Sequence, residues 1–267
     1  MKNQHLFFLI LSISLFACGP RQDKGKSVAQ IDPATQRAIT DSIYQHYLEK
    51  QVNDFPTKAV YERYKVYPVD AAALDTSFLI YRGQLLDIVQ QKDVIQLLSM
   101  IDPNIKVDFG GGGGIADFVK MWKLEDKDQT SDSALWPLLE NILSNGGLFS
   151  NGGRTFSAPY TYANFPNNED AFSSVVVSGG GVRMRATSSL GSKIMTNLSH
   201  DVVELLDQDG PDQTIQGETY PWIYVKTKKG EDGFVWGKFI TSPLDFRALF
   251  DKSTTGNWKL SALVAGD

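Results

Sequence analysis

The three histidines and the one cysteine are the side chains best suited to metal or nucleophilic chemistry, and their spacing favours neither. His5, His46 and His200 lie far apart in the chain, with no H-x-x-x-H pair and no cysteine beside any of them. Zinc sites need three or four such ligands, usually in closely spaced pairs. We therefore expect no bound metal ion and no other cofactor.

Acidic pairs leave hydrolysis open without pointing to it. Glu125/Asp126 and Glu169/Asp170 fall in predicted loops and are interpreted as solvated charge, with the paired carboxylates of a glycosidase as the alternative. A Ser-His-Asp triad is compatible with the sequence, although the G-x-S-x-G motif that exposes a nucleophilic serine is absent.

A run of five glycines follows a predicted strand at residues 105–109 and precedes a helical pattern. Gly111, Gly113 and Ala116 satisfy the G-x-G-x-x-A spacing of a dinucleotide-binding turn. We reject that interpretation because no parallel strand follows the helix, and no acidic residue ends a second strand at the expected distance. The glycines are interpreted as a flexible loop, or as a nest of backbone amides that binds an anion.

The N-terminus predicts export and lipidation. Residues 6–17 form an apolar run behind Lys2, which is typical of a signal peptide and too short to span a bilayer. The run ends in Leu15-Phe16-Ala17-Cys18, which resembles the lipobox of bacterial lipoproteins, although Phe16 stands where a small residue is usual. The resemblance implies a signal peptide at residues 1–17 and a Cys18 that carries diacylglycerol and palmitate. A plain secretory signal is the alternative.

These features limit the classes of function that the protein can have. With Cys18 lipidated, no thiol is left, and cysteine–histidine peptidases are excluded. A net charge of −5 and scattered lysines and arginines argue against nucleic acid as a partner. We expect a protein anchored by lipid in the bacterial cell envelope, at the outer membrane.

Asp-Ser-apolar triplets at Ser42 and Ser133 resemble O-glycosylation sites, or else cap helices.

The first half of the chain predicts mainly helices. Residues 18–32 are interpreted as a polar tether, and residues 33–166 as a helical domain whose short strands lie at 148–149 and 155–156. Helices are predicted at residues 33–53, 74–91, 93–100, 115–122 and 133–143. In the second of these, the apolar face consists of Phe78, Tyr81, Leu85 and Ile88.

Residues 170–241 alternate in the manner of short strands. Strands are predicted at residues 182–185, 192–198, 202–206, 222–226, 233–235 and 239–240. The order of a V-x-M-R strand, a tryptophan strand and a G-x-V strand resembles the bacterial SH3 domain. This implies a small β-barrel that binds peptidoglycan peptide or a protein partner. The stretch 207–221 is interpreted as a loop longer and more acidic than is usual in that family.

Three residues of this region are the candidate ligand-binding residues: Arg185, Tyr224 and Trp236. Alternation places Arg183 and Arg185 on the outer face of their strand, as surface charge or, for Arg185, to brace the adjacent loop through backbone carbonyls. Trp236 either lines a groove with Tyr224 or packs on the N-terminal domain, and the second reading is slightly favoured.

Residues 242–267 predict a hairpin, which is too small to be stable alone and must dock on the N-terminal domain. The expected fold class is therefore α+β, with a helical domain, an SH3-like barrel and a C-terminal hairpin. Our leading hypothesis is a non-catalytic envelope protein that binds a ligand through the barrel. The alternatives are a hydrolase with a site near His46 and the glycine run, and a structural assembly subunit.

Overall fold

The computed structural model describes residues 64–126 and 129–266, all of which belong to one compact unit, Leu48–Asp267. These residues form thirteen β-strands in two open sheets, together with five α-helices. The predicted signal peptide, Cys18, the tether and the helix at 33–53 lie outside the described residues. No helix in the described ranges has the length and hydrophobicity needed to span a membrane.

The expected fold class is wrong in two respects. Strands predominate among the described residues, and the helices of the first half cover a sheet instead of forming a helical domain. The predicted SH3-like barrel does not close. Closure requires the edge strands to pair, but no ladder among the described residues joins β6 (Ile194–Leu198) to β11 (Ile240–Thr241). One reason is length, since β11 has only two residues.

The helices follow their apolar spacing. They are α1 (Thr76–Gln91), α2 (Val94–Met100), α3 (Gly114–Met121), α4 (Leu135–Ser144) and α5 (Tyr160–Ala163). The predicted apolar face of α1 is confirmed, because Phe78, Tyr81, Leu85 and Ile88 are all buried. Asp75 caps this helix by accepting a hydrogen bond from the Phe78 amide at 3.0 Å, and Lys252 donates to the same carboxylate at 2.7 Å.

The smaller sheet has five strands in the order β1-β13-β12-β3-β2. They are β1 (Ile101–Lys106), β2 (Leu148–Ser150), β3 (Thr155–Ala158), β12 (Arg247–Lys252) and β13 (Trp258–Val264). The C-terminal hairpin therefore supplies the central strands, with β12 antiparallel to β3 and β13 parallel to β1. One face of this sheet packs on α1 and α4, where the Phe78 ring lies 4.2 Å from Phe156 and 4.9 Å from Trp258.

The larger sheet has eight strands, seven of them in the order β11-β4-β7-β9-β10-β5-β6, with β8 paired to β9. The strands not yet bounded are β4 (Ser174–Val177), β5 (Val182–Arg185), β7 (Val202–Asp207), β8 (Asp212–Ile215), β9 (Glu218–Lys226) and β10 (Asp232–Trp236). One core contains residues from both edges, Ile240 and Leu198, so the sheet is strongly curved although it stays open.

Residues 64–66 join the larger sheet to α5. The Val66 amide donates to the His200 carbonyl at 2.8 Å, and the Val202 amide donates to the Tyr64 carbonyl at 2.7 Å. Val66 and Val202 are buried together with Tyr160 of α5. This short segment therefore fixes the larger sheet against the helix that follows β3.

Candidate functional site

Two tryptophans lie side by side on the outer face of the larger sheet. Strands β9 and β10 are antiparallel, and their register places Trp222 directly opposite Trp236. The residues that alternate with them, Ile223 and Val235, point into the core. By simple alternation both indoles would face solvent, yet Trp222 is only 2% exposed and Trp236 only 7%.

The hairpin of β8 and β9 explains this burial, because β8 carries acceptors for both indole N–H groups. The Gln213 side-chain oxygen accepts from Trp222 Nε1 at 2.8 Å, and the Gln213 backbone carbonyl accepts from Trp236 Nε1 at 3.1 Å. The same Gln213 side-chain oxygen also accepts from the Leu190 amide at 3.1 Å, which ties the loop after β5 to β8.

The turn of this hairpin consists of Gln216 and Gly217. Both have positive φ angles, 54° and 86°. Two-residue turns of this kind match the natural twist of antiparallel strands, so they hold a hairpin tightly. Thr214 and Thr219 add a cross-strand hydrogen bond of 2.7 Å between their hydroxyls.

A cavity of about 360 Å³ opens between this hairpin and the strands beneath it. We call it the indole cavity. Its lining residues are Gly180, Gly181, Val182, Arg183, Arg185, Leu190, Ile215, Gln216, Trp222, Trp236, Lys238 and Phe239. Three of these side chains are cationic and none is acidic, which contrasts with the net charge of −5 of the whole chain.

The three cations differ in how they are held. Arg185 is 6% exposed and donates from Nη1 to the Ser192 carbonyl at 2.7 Å, so it braces the loop as one of the sequence interpretations proposed. Lys238 forms an ion pair with Glu218, outside the lining. Arg183 is exposed and takes part in no ion pair within the described ranges. Among the lining cations, Arg183 is therefore both exposed and not engaged in an ion pair within the described structure.

The structure brings together two of the three candidate residues. Arg185 and Trp236 both line the indole cavity, whereas Tyr224 does not. The Tyr224 ring stacks on Phe234 at 4.8 Å, and its hydroxyl donates to Asp232, an interaction that raises the pKa of Tyr224.

The favoured interpretation of Trp236, a contact with the N-terminal domain, differs from what the structure shows. Its ring packs edge-on against Tyr220 and lies 6.0 Å from Phe239, both within residues 170–241. The reason is the hairpin of β8 and β9, which covers the indole locally. Sequence reasoning missed Gln213, Trp222 and Lys238 as lining or bracing residues. The sequence did contain one signal for this hairpin, namely the Gln216-Gly217 pair between two stretches that alternate as strands do.

His200 is half-buried, beside Tyr67 and the charged side chains of Lys65 and Asp201. Its ring lies 5.4 Å from that of Tyr67, and its Nδ1 is buried without a hydrogen-bond partner. Burial lowers the pKa of His200, and the positive charge of Lys65 lowers it further, while Asp201 opposes the shift. Within the described ranges, no three histidine, cysteine or acidic side chains are grouped as metal ligands would be.

Residues of the glycine run and Ser133 have partners within the described structure. Two amides of the glycine run are occupied, because Gly112 donates to Asp108 at 2.9 Å and Gly113 donates to Asp117 at 2.8 Å. The Ser133 hydroxyl is buried and donates to the Trp122 carbonyl at 2.6 Å, near the start of α4.

The acidic pair at 169–170 is also engaged. Glu169 forms an ion pair with Lys228, and hydrogen bonds from the Ser173 hydroxyl and the Phe172 amide lower the pKa of Asp170.

We find no family model, curated protein or solved structure that matches this chain.

Proposed function

We propose that this protein is a non-catalytic, lipid-anchored protein of the bacterial cell envelope that binds an acidic peptide, of the kind found in peptidoglycan, in the indole cavity. The observation that carries the proposal is the lining of that cavity. Three cations and two indoles converge on about 360 Å³ without an acidic side chain.

The charge of the cavity favours an anionic ligand. Cations that line a cleft with apolar walls act in a lower effective dielectric than on a flat surface, so they attract carboxylates more strongly. The stem peptides of peptidoglycan carry free carboxylates. Because Arg183 is exposed and lines this cavity, it is the natural first contact for such a group.

Leu190, Ile215 and Phe239 supply the more accessible apolar part of the lining. Trp222 and Trp236 are almost fully buried and are held by hydrogen bonds to Gln213, so they form a rigid base for the cavity that needs little ordering when a ligand binds. The cavity volume falls at the lower end of the range of small-ligand sites, which suits a short segment of peptide rather than a folded domain.

The proposed location rests on the residues that precede the described structure. A lipidated Cys18 would hold the binding sheet at the membrane through the polar tether, residues 18–32. Metabolic labelling with a fatty-acid probe tests this part. Incorporation that is lost in Cys18→Ala is expected, and a Cys18→Ala protein that fractionates with membranes as the native protein does would contradict it.

Two alternatives remain as hypotheses. An assembly subunit would bury the larger sheet against its own N-terminal half, and the solvent opening of the indole cavity favours binding over that role. An envelope hydrolase would use His46, which lies outside the described residues. If His46→Ala hydrolyses as the native protein does, the hydrolase hypothesis is weakened.

Co-sedimentation with purified sacculi tests the ligand. We expect the protein to sediment with sacculi and Arg183→Glu to reduce the bound fraction several-fold. Lys193→Glu makes the same charge change at an exposed residue that does not line the cavity, so it should bind as the native protein does. Equal sedimentation of the two variants, or no sedimentation of the native protein, would refute the proposal.

A further inference from the structure

A second and larger cavity, of about 550 Å³, lies against the five-stranded sheet and contains none of the indole-cavity residues. We call it the Arg247 cavity. One side is lined by residues of β2 and β3, and the other by residues from 162–171 together with Pro243, Leu244 and Arg247. By residue type, most of the lining is apolar or aromatic, including Leu148, Phe165 and Leu244, and polar atoms also face the cavity.

The guanidinium of Arg247 is the only basic group in this lining. Arg247 is 5% exposed, and its guanidinium lies between two aromatic rings, 5.0 Å from the centre of Phe109 and 4.8 Å from that of Tyr162. Both rings attract the group by cation–π interaction.

No acceptor in the described structure balances this cation. Nη1 of Arg247 is buried without a hydrogen-bond partner, and none of the ion pairs between described residues includes Arg247. The one acidic residue of the lining, Glu169, is instead paired with Lys228.

A buried cation without an acceptor is costly, and buried polar groups in native proteins almost always have a partner. Two aromatic rings compensate the charge only in part, because a ring offers no lone pair to a guanidinium N–H. An anion in the cavity would supply the guanidinium with the acceptor that it lacks.

We propose that the Arg247 cavity binds a ligand that has one carboxylate and an apolar body. Arg247 donates hydrogen bonds to the carboxylate from its planar guanidinium, and the apolar residues Leu148, Phe165 and Leu244 pack on the body. A phosphate group fits less well, because it is more highly charged and only one cation lines the cavity. The carboxylate belongs either to a free organic acid or to the C-terminus of a peptide.

Ligand-observed NMR by saturation transfer on the full-length protein tests the proposal. The probes are phenylacetate, as a free acid, and N-acetyl-Ala-Phe, as a peptide with a free C-terminus. Phenylacetamide and N-acetyl-Ala-Phe amide are the matched neutral controls, and inorganic phosphate is the competitor. We expect at least one carboxylate to bind, with its amide bound about tenfold or more weakly.

The variant Arg247→Met keeps an unbranched side chain between the two rings and removes the charge. It should abolish carboxylate binding, whereas Lys193→Met, which removes an exposed charge outside both cavities, should leave it unchanged. Arg183→Met separates the two sites, because loss of binding in Arg183→Met with retention in Arg247→Met would place the carboxylate in the indole cavity and overturn the inference. If Arg247→Met does not fold, Ala171→Phe fills the Arg247 cavity without altering the guanidinium and should abolish binding too.

The two probes separate the sources. Tighter binding of N-acetyl-Ala-Phe than of phenylacetate would identify a peptide C-terminus, and the reverse order would identify a free acid. The inference is overturned if neither carboxylate binds, if the amides bind equally well, if phosphate displaces the probes at equal concentration, or if Arg247→Met binds as the native protein does.

Discussion

Gln213 accepts hydrogen bonds from both buried tryptophans, and replacing it by leucine removes the bond to Trp222 while leaving the bond to Trp236. Gln213→Leu keeps the size of the side chain and removes the oxygen that accepts from Trp222 Nε1 at 2.8 Å and from the Leu190 amide at 3.1 Å. The backbone carbonyl of residue 213, which accepts from Trp236, is unchanged.

The magnitude follows from how well water can replace each lost bond. Trp222 is almost fully buried, so its N–H loses its only acceptor, a change that costs about 1–3 kcal/mol. Leu190 is exposed, and water satisfies its amide at almost no cost. We therefore expect Gln213→Leu to lower the free energy of unfolding by about 1–3 kcal/mol, nearly all of it through Trp222.

A double-mutant cycle measures the contribution of the Gln213–Trp222 hydrogen bond to the free energy of unfolding. The free energy of each purified variant is obtained by thermal or urea unfolding. In a Trp222→Phe background, which has no indole N–H, Gln213→Leu should cost less than about 0.5 kcal/mol, giving a coupling energy above about 1 kcal/mol. In a Trp236→Phe background the full cost should persist, because that indole donates to backbone. Equal costs in all three backgrounds would refute the reasoning.

Three further predictions concern the surrounding structure. Gly210→Ala should destabilise the protein in the same unfolding measurement, because a Cβ at this position would lie 2.0 Å from the Trp222 carbonyl oxygen. Gly180→Ala is the control and should be neutral, because a Cβ there would have nothing within 4 Å. Asp75→Ala should lower the free energy of unfolding by about 1–2 kcal/mol, and Asp75→Asn, which keeps a cap acceptor, by less; equal losses would contradict a capping role. Burial and Lys65 depress the pKa of His200 below 6.5, despite the opposing charge of Asp201, so the unfolded chain binds a proton more readily. Stability should then fall as the pH drops from above 6.5 towards the lower pKa of the folded state, and it should fall less in His200→Asn; parallel pH profiles would refute this assignment.

Local patterns predicted the elements well. The four-residue spacing of Phe78, Tyr81, Leu85 and Ile88 predicted the buried face of α1, because helical periodicity depends on near neighbours in the chain. Alternation placed Arg183 and Arg185 on the outer face of β5: Arg183 is exposed as predicted, whereas the prediction is wrong for Arg185, which is buried and donates to the Ser192 carbonyl. The strand predicted at 105–109 was placed several residues too late, since β1 is Ile101–Lys106 and includes Pro103.

The sheets themselves were less predictable, because pairing depends on residues far apart in sequence. The need for the C-terminal hairpin to dock followed from its small size, yet the parallel pairing of β13 with β1 carries no local signal. Barrel closure was wrong for the same kind of reason: each strand could be predicted, but whether β6 meets β11 depends on curvature and length.

The site residues also divide into those that local sequence identifies and those that depend on distant parts of the chain. Arg185 and Trp236 were identified from their own strands, and both line the indole cavity. Gln213 was missed because residues 207–221 were interpreted as a loop, although the Gln216-Gly217 turn marks a hairpin. Arg247 was not identified at all, since Phe109 and Tyr162, which hold it, come from distant parts of the chain.

Calorimetric titration of the purified protein with a soluble peptidoglycan stem peptide tests the binding role most directly. The account predicts saturable binding that weakens as salt is raised and becomes about tenfold weaker in Arg183→Glu, while Lys193→Glu binds as the native protein does. Absence of saturable binding, or equal affinity in Arg183→Glu and the native protein, would contradict the assignment of the indole cavity as the ligand site.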